Sequence, residues 1–150
     1  MACTLAADIV GSHRRMRMRV RGTSMAPAIR PGDMICIERA GVGEIQIGEV
    51  AVFARDGHLV AHRVARIEAG VDGWHLVTRG DRAQHADAPV LGSELLGRAV
   101  SIERGHRCFH PRAGFSAVER AVCRVLSFSD RATSLYLRLT APWRRPSIIP

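Results

Sequence analysis

From residue 15 to residue 21 the chain alternates strictly: Arg15, Arg17, Arg19 and Arg21 interleave with Met16, Met18 and Val20. A period of two predicts a half-buried strand with a cationic outer face, because successive strand side chains point to opposite sides. Pro31-Gly32-Asp33 then reads as a turn, and Met34-Ile35-Cys36-Ile37-Glu38 as a short buried strand. Residues 41–48, with Ile45 and Ile47, read as a loop. Residues 49–54 form an apolar strand, residues 55–58 a hairpin turn on Asp56-Gly57, and residues 59–67 the return strand. A second strand pair, residues 63–68 and 74–79, turns at Gly70-Val71-Asp72-Gly73, and a last strand fits residues 97–103.

The period changes at the two ends. Residues 2–11 suit a short helix ending near Gly11. Phe115, Val118, Val122, Val125 and Leu126 recur at helical spacing, with Glu119, Arg120 and Arg124 on another face, which predicts an amphipathic helix over 114–127. Ser129-Asp130 is suited to cap a second helix carrying Leu135, Tyr136 and Leu139, which Pro142 would stop. The expected architecture is mainly β. A compact, coiled β domain over 1–110, with a short N-terminal helix, is followed by a helical appendage over 111–150 that packs on the domain or on a membrane surface.

Composition narrows the chemistry. A length of 150 residues with 47% hydrophobic content suits one domain with one core. The chain contains no lysine, so all 22 basic residues are arginine, and the net charge of +8 favours anionic partners. Arginine stays protonated at any working pH and is no general base. Trp74 and Trp143 lie far apart, so aromatic stacking of bases is poorly supported and nucleic acid is not the expected partner. Cys3, Cys36, Cys108 and Cys123 have neither disulfide-framework nor metal-ligand spacing, and no secretory leader precedes them, which predicts reduced thiols and a cytoplasmic setting. His106 and His110 are bracketed by Gly105 and Pro111 in what reads as a loop, so neither a metal nor any other cofactor is expected. No apolar run approaches the roughly 20 residues of a membrane span, which leaves peripheral contact with an anionic membrane as the candidate membrane association.

The candidate chemistry lies in Arg21-Gly22-Thr23-Ser24-Met25-Ala26-Pro27 and in Ala61-His62-Arg63-Val64. A serine hydroxyl is a poor nucleophile until a base takes its proton, and a neutral imidazole suits that task. On its strand His62 shares a face with Val60 and Val64. A carboxylate behind the ring would fix its tautomer. Asp81, after Gly80 at a strand end, is the first choice for that role. The Ser24 N–H is the first oxyanion donor to consider, and Thr23 the second.

Four boxes in order resemble the signal peptidase I family. They are Ser24-Met25-Ala26-Pro27 with Arg30-Pro31-Gly32-Asp33, Ile47-Gly48-Glu49-Val50, Ala61-His62-Arg63-Val64, and Thr78-Arg79-Gly80-Asp81. The likeness covers residues 17–104 and is nearest to the endoplasmic-reticulum and archaeal branch, which uses histidine where bacterial forms use lysine. It implies a β-rich fold and a serine endopeptidase acting on an extended peptide or precursor protein. Ser24 would be the nucleophile, His62 the base and Asp81 the orienting acid, with Asp87 as its rival because related sequences often place asparagine or a second aspartate soon after the Gly-Asp pair, and Met25 and Pro27 would shape shallow substrate pockets. Bacterial members often carry a second serine at the position of Gly22, so oxyanion stabilisation here would fall to Thr23 or to backbone amides. The fold also resembles the self-cleaving domain of stress-response repressors. Those use lysine, however, and this chain has no Ala-Gly self-cleavage site joined to a helix-turn-helix. The competing expectation is a protease-like scaffold that binds nucleic acid or anionic lipid through the arginine strand.

Overall fold

A computed structural model describes residues 15–114 and 117–140 of the chain. The helix expected over 2–11, Cys3, Phe115, Pro142 and Trp143 lie outside the described residues, as do the side chains of Glu119 and Arg120.

Seven strands form one antiparallel sheet: β1 (Arg15–Arg19), β2 (Met34–Glu38), β3 (Val50–Arg55), β4 (His58–Gly70), β5 (Gly73–Arg79), β6 (Leu95–Arg104) and β7 (Arg107–Phe109). The order across the sheet is β1-β2-β6-β3-β4-β5, with β7 also paired to β6. Two helices follow, α1 (Ala117–Phe128) and α2 (Asp130–Thr140). The protein is therefore mainly β with a C-terminal helical pair, as the periodicities predict.

The apolar run at residues 50–54 explains the centre. Val50, Val52, Ala51 and Phe53 are all buried, although alternate residues of a strand face opposite sides. A strand covered on both faces needs apolar residues throughout, and β3 has them. Val50 and Val52 join Met25, Ile29, Ile35, Ile37, Ala99 and Ile102 on one side. Ala51 and Phe53 join Ala40, Ile45, Val64, Leu76 and Val90 on the other. The sheet thus divides two cores.

β4 is one strand of 13 residues where the sequence suggested two overlapping pieces. Its first half pairs with β3, from Arg55 against His58 to Val50 against Arg63. Its second half pairs with β5, and the register shifts between Val64 and Arg66. That irregularity bends the strand and coils the sheet. The hairpin at Asp56-Gly57 has positive φ at both residues, 51° and 76°. Such a turn matches the twist of its flanking strands, and glycine adopts it without strain.

Three expectations change. Residues 107–109 form β7 where a loop was expected, completing pairs from Arg104 with Arg107 to Ile102 with Phe109. Residues 41–48 contain a 3-10 turn, Val42–Glu44, after which Ile45 is buried and Ile47 exposed. The arginine face of β1 is partly neutralised within the sheet, because Arg17 hydrogen-bonds Glu103 and Arg15 lies 3.8 Å from Glu38.

Both predicted helices form, and Ser129 caps the second: its Oγ accepts from the Ala132 N–H at 3.2 Å. The faces that pack are narrower than the periodicity suggests. Cys123, Leu126 and Thr133 are buried, whereas Val118, Val125, Leu135 and Leu139 are exposed. Among the described residues no helix is long and apolar enough to cross a membrane, and no disulfide joins Cys36, Cys108 or Cys123.

Candidate active site

The chain leaves β1 at Val20 and returns at Asp33, where the Val20 N–H donates to the Asp33 carbonyl and the Gly32 N–H to the Val20 carbonyl, each at 2.8 Å. Ser24 lies in the excursion between. Internal bonds from the Ala26 N–H to the Thr23 carbonyl (3.0 Å) and from the Ile29 N–H to the Met25 carbonyl (2.9 Å) hold the segment in successive turns. Buried Met25 and Ile29 pin those turns to the core. The far end is tied at Asp33, whose carboxylate accepts from the Arg30 N–H and from the Arg104 guanidinium. A loop anchored by both apolar burial and charge-assisted bonds presents its serine in one place.

His62 comes from β4, opposite Ala51 of β3, with the Phe53 ring edge-on to the imidazole at 6.3 Å between centroids. Its Nε2 lies 2.9 Å from Ser24 Oγ. Its Nδ1 lies 2.7 Å from Asp87 Oδ2. The same carboxylate oxygen accepts from the Thr78 hydroxyl at 2.7 Å, and the Asp87 N–H donates to the Thr78 carbonyl at 2.8 Å. Thr78 is fully buried on β5, so the carboxylate is fixed by side chain and main chain of one rigid residue.

The structure thus brings Ser24 and His62 together but puts Asp87 behind the imidazole, where Asp81 was the first choice. Asp81 instead holds Arg63, with its two oxygens accepting from Nε at 2.9 Å and from Nη2 at 3.0 Å. The reason lies in β4. His62 and Arg63 are neighbours on a strand, so their side chains leave opposite faces, and each buried base takes its own carboxylate from the segment after β5. Arg63 also donates to the carbonyls of Gly48 and Arg112, tying β4 to the loop before β3 and to the chain beyond β7. Burial pushes the Asp81 carboxyl above its ordinary range, against the opposing pull of its hydrogen bonds and charge pairing with Arg63 and the weaker attraction of His62 and Arg79. The Asp81–Arg63 pair thus ties main-chain segments together beside the pair that reaches the serine.

Gly80 lies under the serine and the imidazole. A Cβ there would come within 3.2 Å of His62 Nε2 and of Ser24 Cβ, and within 3.1 Å of the Ser24 carbonyl oxygen. A side chain at Gly80 would therefore press on both groups, which would have to give by a few tenths of an ångström. The Gly80-Asp81 pair reads in sequence as a turn, and its role as a floor is visible only after folding.

Arg82 is a further residue to which the sequence assigned no role. Its N–H donates to the Ser24 carbonyl at 2.9 Å, and its Nη1 to the Thr23 hydroxyl at 2.9 Å. The rest of its guanidinium, Nε and Nη2, donates to the Leu126 carbonyl in the last turn of α1, at 3.1 and 2.9 Å. Arg30 does the same at the end of α2, donating to the Thr140 carbonyl at 3.1 Å and to the Tyr136 hydroxyl at 2.8 Å while lying over that ring. Last-turn carbonyls lack intrahelical partners and carry the negative end of the helix dipole, so cations are favoured there. Two arginines therefore fasten the helical pair to the serine loop.

Thr23 keeps a hydroxyl proton to donate, since the oxygen accepts from Arg82. Met25 is buried in the core, so its side chain packs the domain where a pocket-lining role was expected. Pro27 is half-buried beside a cavity of about 400 Å³ between the serine loop and the helices, also lined by Arg30, Arg63, Phe109 and Tyr136. Among the described residues no group of three metal-ligating side chains converges.

No curated protein matches this chain. A protein-family model does: the one described as Peptidase S24-like matches residues 2–99, which include Ser24, His62, Thr78, Gly80 and Asp87. With a match over most of its length and a mainly β fold around the serine and histidine, the chain belongs to the Peptidase S24-like family.

Proposed function

We propose that the protein is a serine endopeptidase hydrolysing a peptide bond in an extended precursor or leader peptide. Ser24 is the nucleophile, His62 the general base and Asp87 the carboxylate that orients the imidazole. The observation that carries this reading is the unbroken chain of contacts from Ser24 Oγ through both ring nitrogens of His62 to Asp87. With the Nδ1 proton donated to Asp87, the Nε2 lone pair faces the serine hydroxyl.

In the first step Oγ attacks the scissile carbonyl carbon, and its proton passes to Nε2. The charge that develops on the carbonyl oxygen is met by the Ser24 N–H and the Thr23 hydroxyl. Collapse expels the amine, which takes the proton from the imidazolium, and water then repeats the sequence on the acyl ester. Asp87 stabilises the imidazolium and itself stays ionised.

Two features support kinship with the histidine-using branch of signal peptidases. The chain has no lysine to serve as base, and an imidazole occupies hydrogen-bonding distance of the serine. The substrate would lie extended beside the segment before Ser24 or beside β4, paired through its main chain, with Pro27 bordering a pocket for a small side chain.

Labelling with a serine-directed phosphonylating probe tests the reading. Wild type and Ser93→Ala, which alters an exposed serine, are expected to label alike, with labelling lost in Ser24→Ala and His62→Ala. Equal labelling of all four proteins would sink the assignment.

A further inference from the structure

The two helices use one face to hold the domain and leave another face apolar and uncovered. On α1 the outward arc carries Ala121, Arg124 and Val125, with Val125 62% exposed, and Val118 lies at its edge, where it also lines the cavity beside the serine loop. On α2 it carries Arg131, Ser134, Leu135, Arg138 and Leu139, with the leucines 58% and 76% exposed. Helical spacing requires this grouping. Val118 and Val125 are seven residues apart and Leu135 and Leu139 four, so each pair shares a stripe. Large apolar side chains grouped this way mark an interaction surface, whereas scattered ones do not.

The charges around the stripes identify the partner. The charged side chains described on these two helices are Arg124, Arg131 and Arg138, all exposed. We propose that this outward face docks in the plane of an anionic lipid bilayer, with the leucines and valines entering the acyl boundary and the three guanidinium groups meeting lipid phosphates. At 12 and 11 residues the helices are roughly 18 and 17 Å long. That is too short to span the roughly 30 Å hydrocarbon layer but suits an orientation along its surface. A second copy of the chain fits less well. A two-fold interface would bring the same cationic face against itself, whereas a phosphate-rich surface complements it.

Such docking has a consequence for the site. Arg82 and Arg30 connect the last turns of these helices to the Ser24 loop, so a docked helical pair holds the serine loop about one helix thickness, roughly 10 Å, from the bilayer surface. The surface itself does not depend on catalysis.

Co-sedimentation of the full chain with vesicles is the test. Vesicles containing phosphatidylglycerol should take the protein down, and pure phosphatidylcholine vesicles should leave it in solution. Leu135→Ser with Leu139→Ser should weaken binding at least about tenfold. Arg131→Gln with Arg138→Gln should weaken it about thirty-fold, taking about 1 kcal/mol per cation near the surface. Thermal melting should show all variants folded, and Ser24→Ala should bind as wild type does, which separates this inference from the catalytic one. Wild type left in solution with both vesicle types would overturn it. So would binding insensitive to both double variants, or concentration-dependent dimers in sedimentation velocity that need Leu135 and Leu139 while vesicles take up nothing.

Discussion

His62 and Arg63 are adjacent in sequence and face opposite sides of the same strand, and each is met by an aspartate from the same short segment after β5. On one side Asp87 fixes an imidazole that reaches a serine. On the other Asp81 fixes a guanidinium that donates to main-chain carbonyls. The two pairs look alike as charge arrangements and differ in what lies beyond the base. A basic side chain held by a carboxylate becomes a candidate reactive centre when it keeps a free lone pair facing a nucleophile. Histidine can do this and arginine cannot.

Breaking the pairs one at a time tests that contrast. Asp87→Asn should give the largest effect, about a ten-thousand-fold loss in the rate of Ser24 acylation by a substrate or probe, because the amide favours the wrong imidazole tautomer. Thermal stability should change far less. Asp81→Ala should do the reverse. It leaves the buried Arg63 charge uncompensated, so chemical denaturation should show a loss of about 3 kcal/mol, while the folded fraction should still acylate at near wild-type rate. If Asp81→Ala abolishes acylation in folded protein, or Asp87→Asn spares it, the division of roles is wrong.

Thr78→Val sharpens the comparison on the reactive side. It removes one hydrogen bond from the Asp87 carboxylate without changing shape much, and acylation should fall about fivefold, the equivalent of roughly 1 kcal/mol. The smallest effect belongs to a surface pair. Burial raises the Glu94 carboxyl, but hydrogen bonds from Arg55 and from the Leu91 N–H, with the charge of Arg55, outweigh it and hold the group below its ordinary value of 4.5. Its contribution is present above pH 4.5 and is lost as pH falls through the lower folded value, because the unfolded chain takes up the proton first. Asp81 has the opposite sign: its contribution is present below pH 3.8 and is lost as pH rises through its raised folded value. Melting curves from pH 3 upwards should therefore lose a small acid-side decline in Glu94→Gln and lose an opposing trend in Asp81→Ala.

Much of the fold is legible along the chain because its periods are unambiguous. The alternation at 15–20, the doubly buried run at 50–54 and the Asp56-Gly57 turn each have one good solution. β7 escaped notice because three residues are too few to establish a period, and their pairing depends on where β6 ends. The helices were legible as helices, but amphipathicity alone did not tell which apolar residues meet the domain. That was settled by Arg30 and Arg82 drawing the last turns onto the serine loop, which leaves Val125, Leu135 and Leu139 outside. A signal for the second aspartate was nevertheless present. A buried arginine beside the histidine needs a carboxylate of its own, and the stretch from Gly80 to Asp87 offers two.

By itself the sequence determined the β architecture, the two terminal changes of period, and the pairing of one serine with one histidine in a chain without lysine. The first two follow from local spacing, and the third from the likeness of its ordered boxes to signal peptidases together with which side chains can lose or take a proton. Only the tertiary structure decided that Asp87 and not Asp81 meets His62, that Gly80 is the floor beneath the serine, and that Arg82 joins that serine to a helix. Each of those depends on how the segment after β5 folds back across the two faces of β4, a matter of long-range packing that no local pattern encodes.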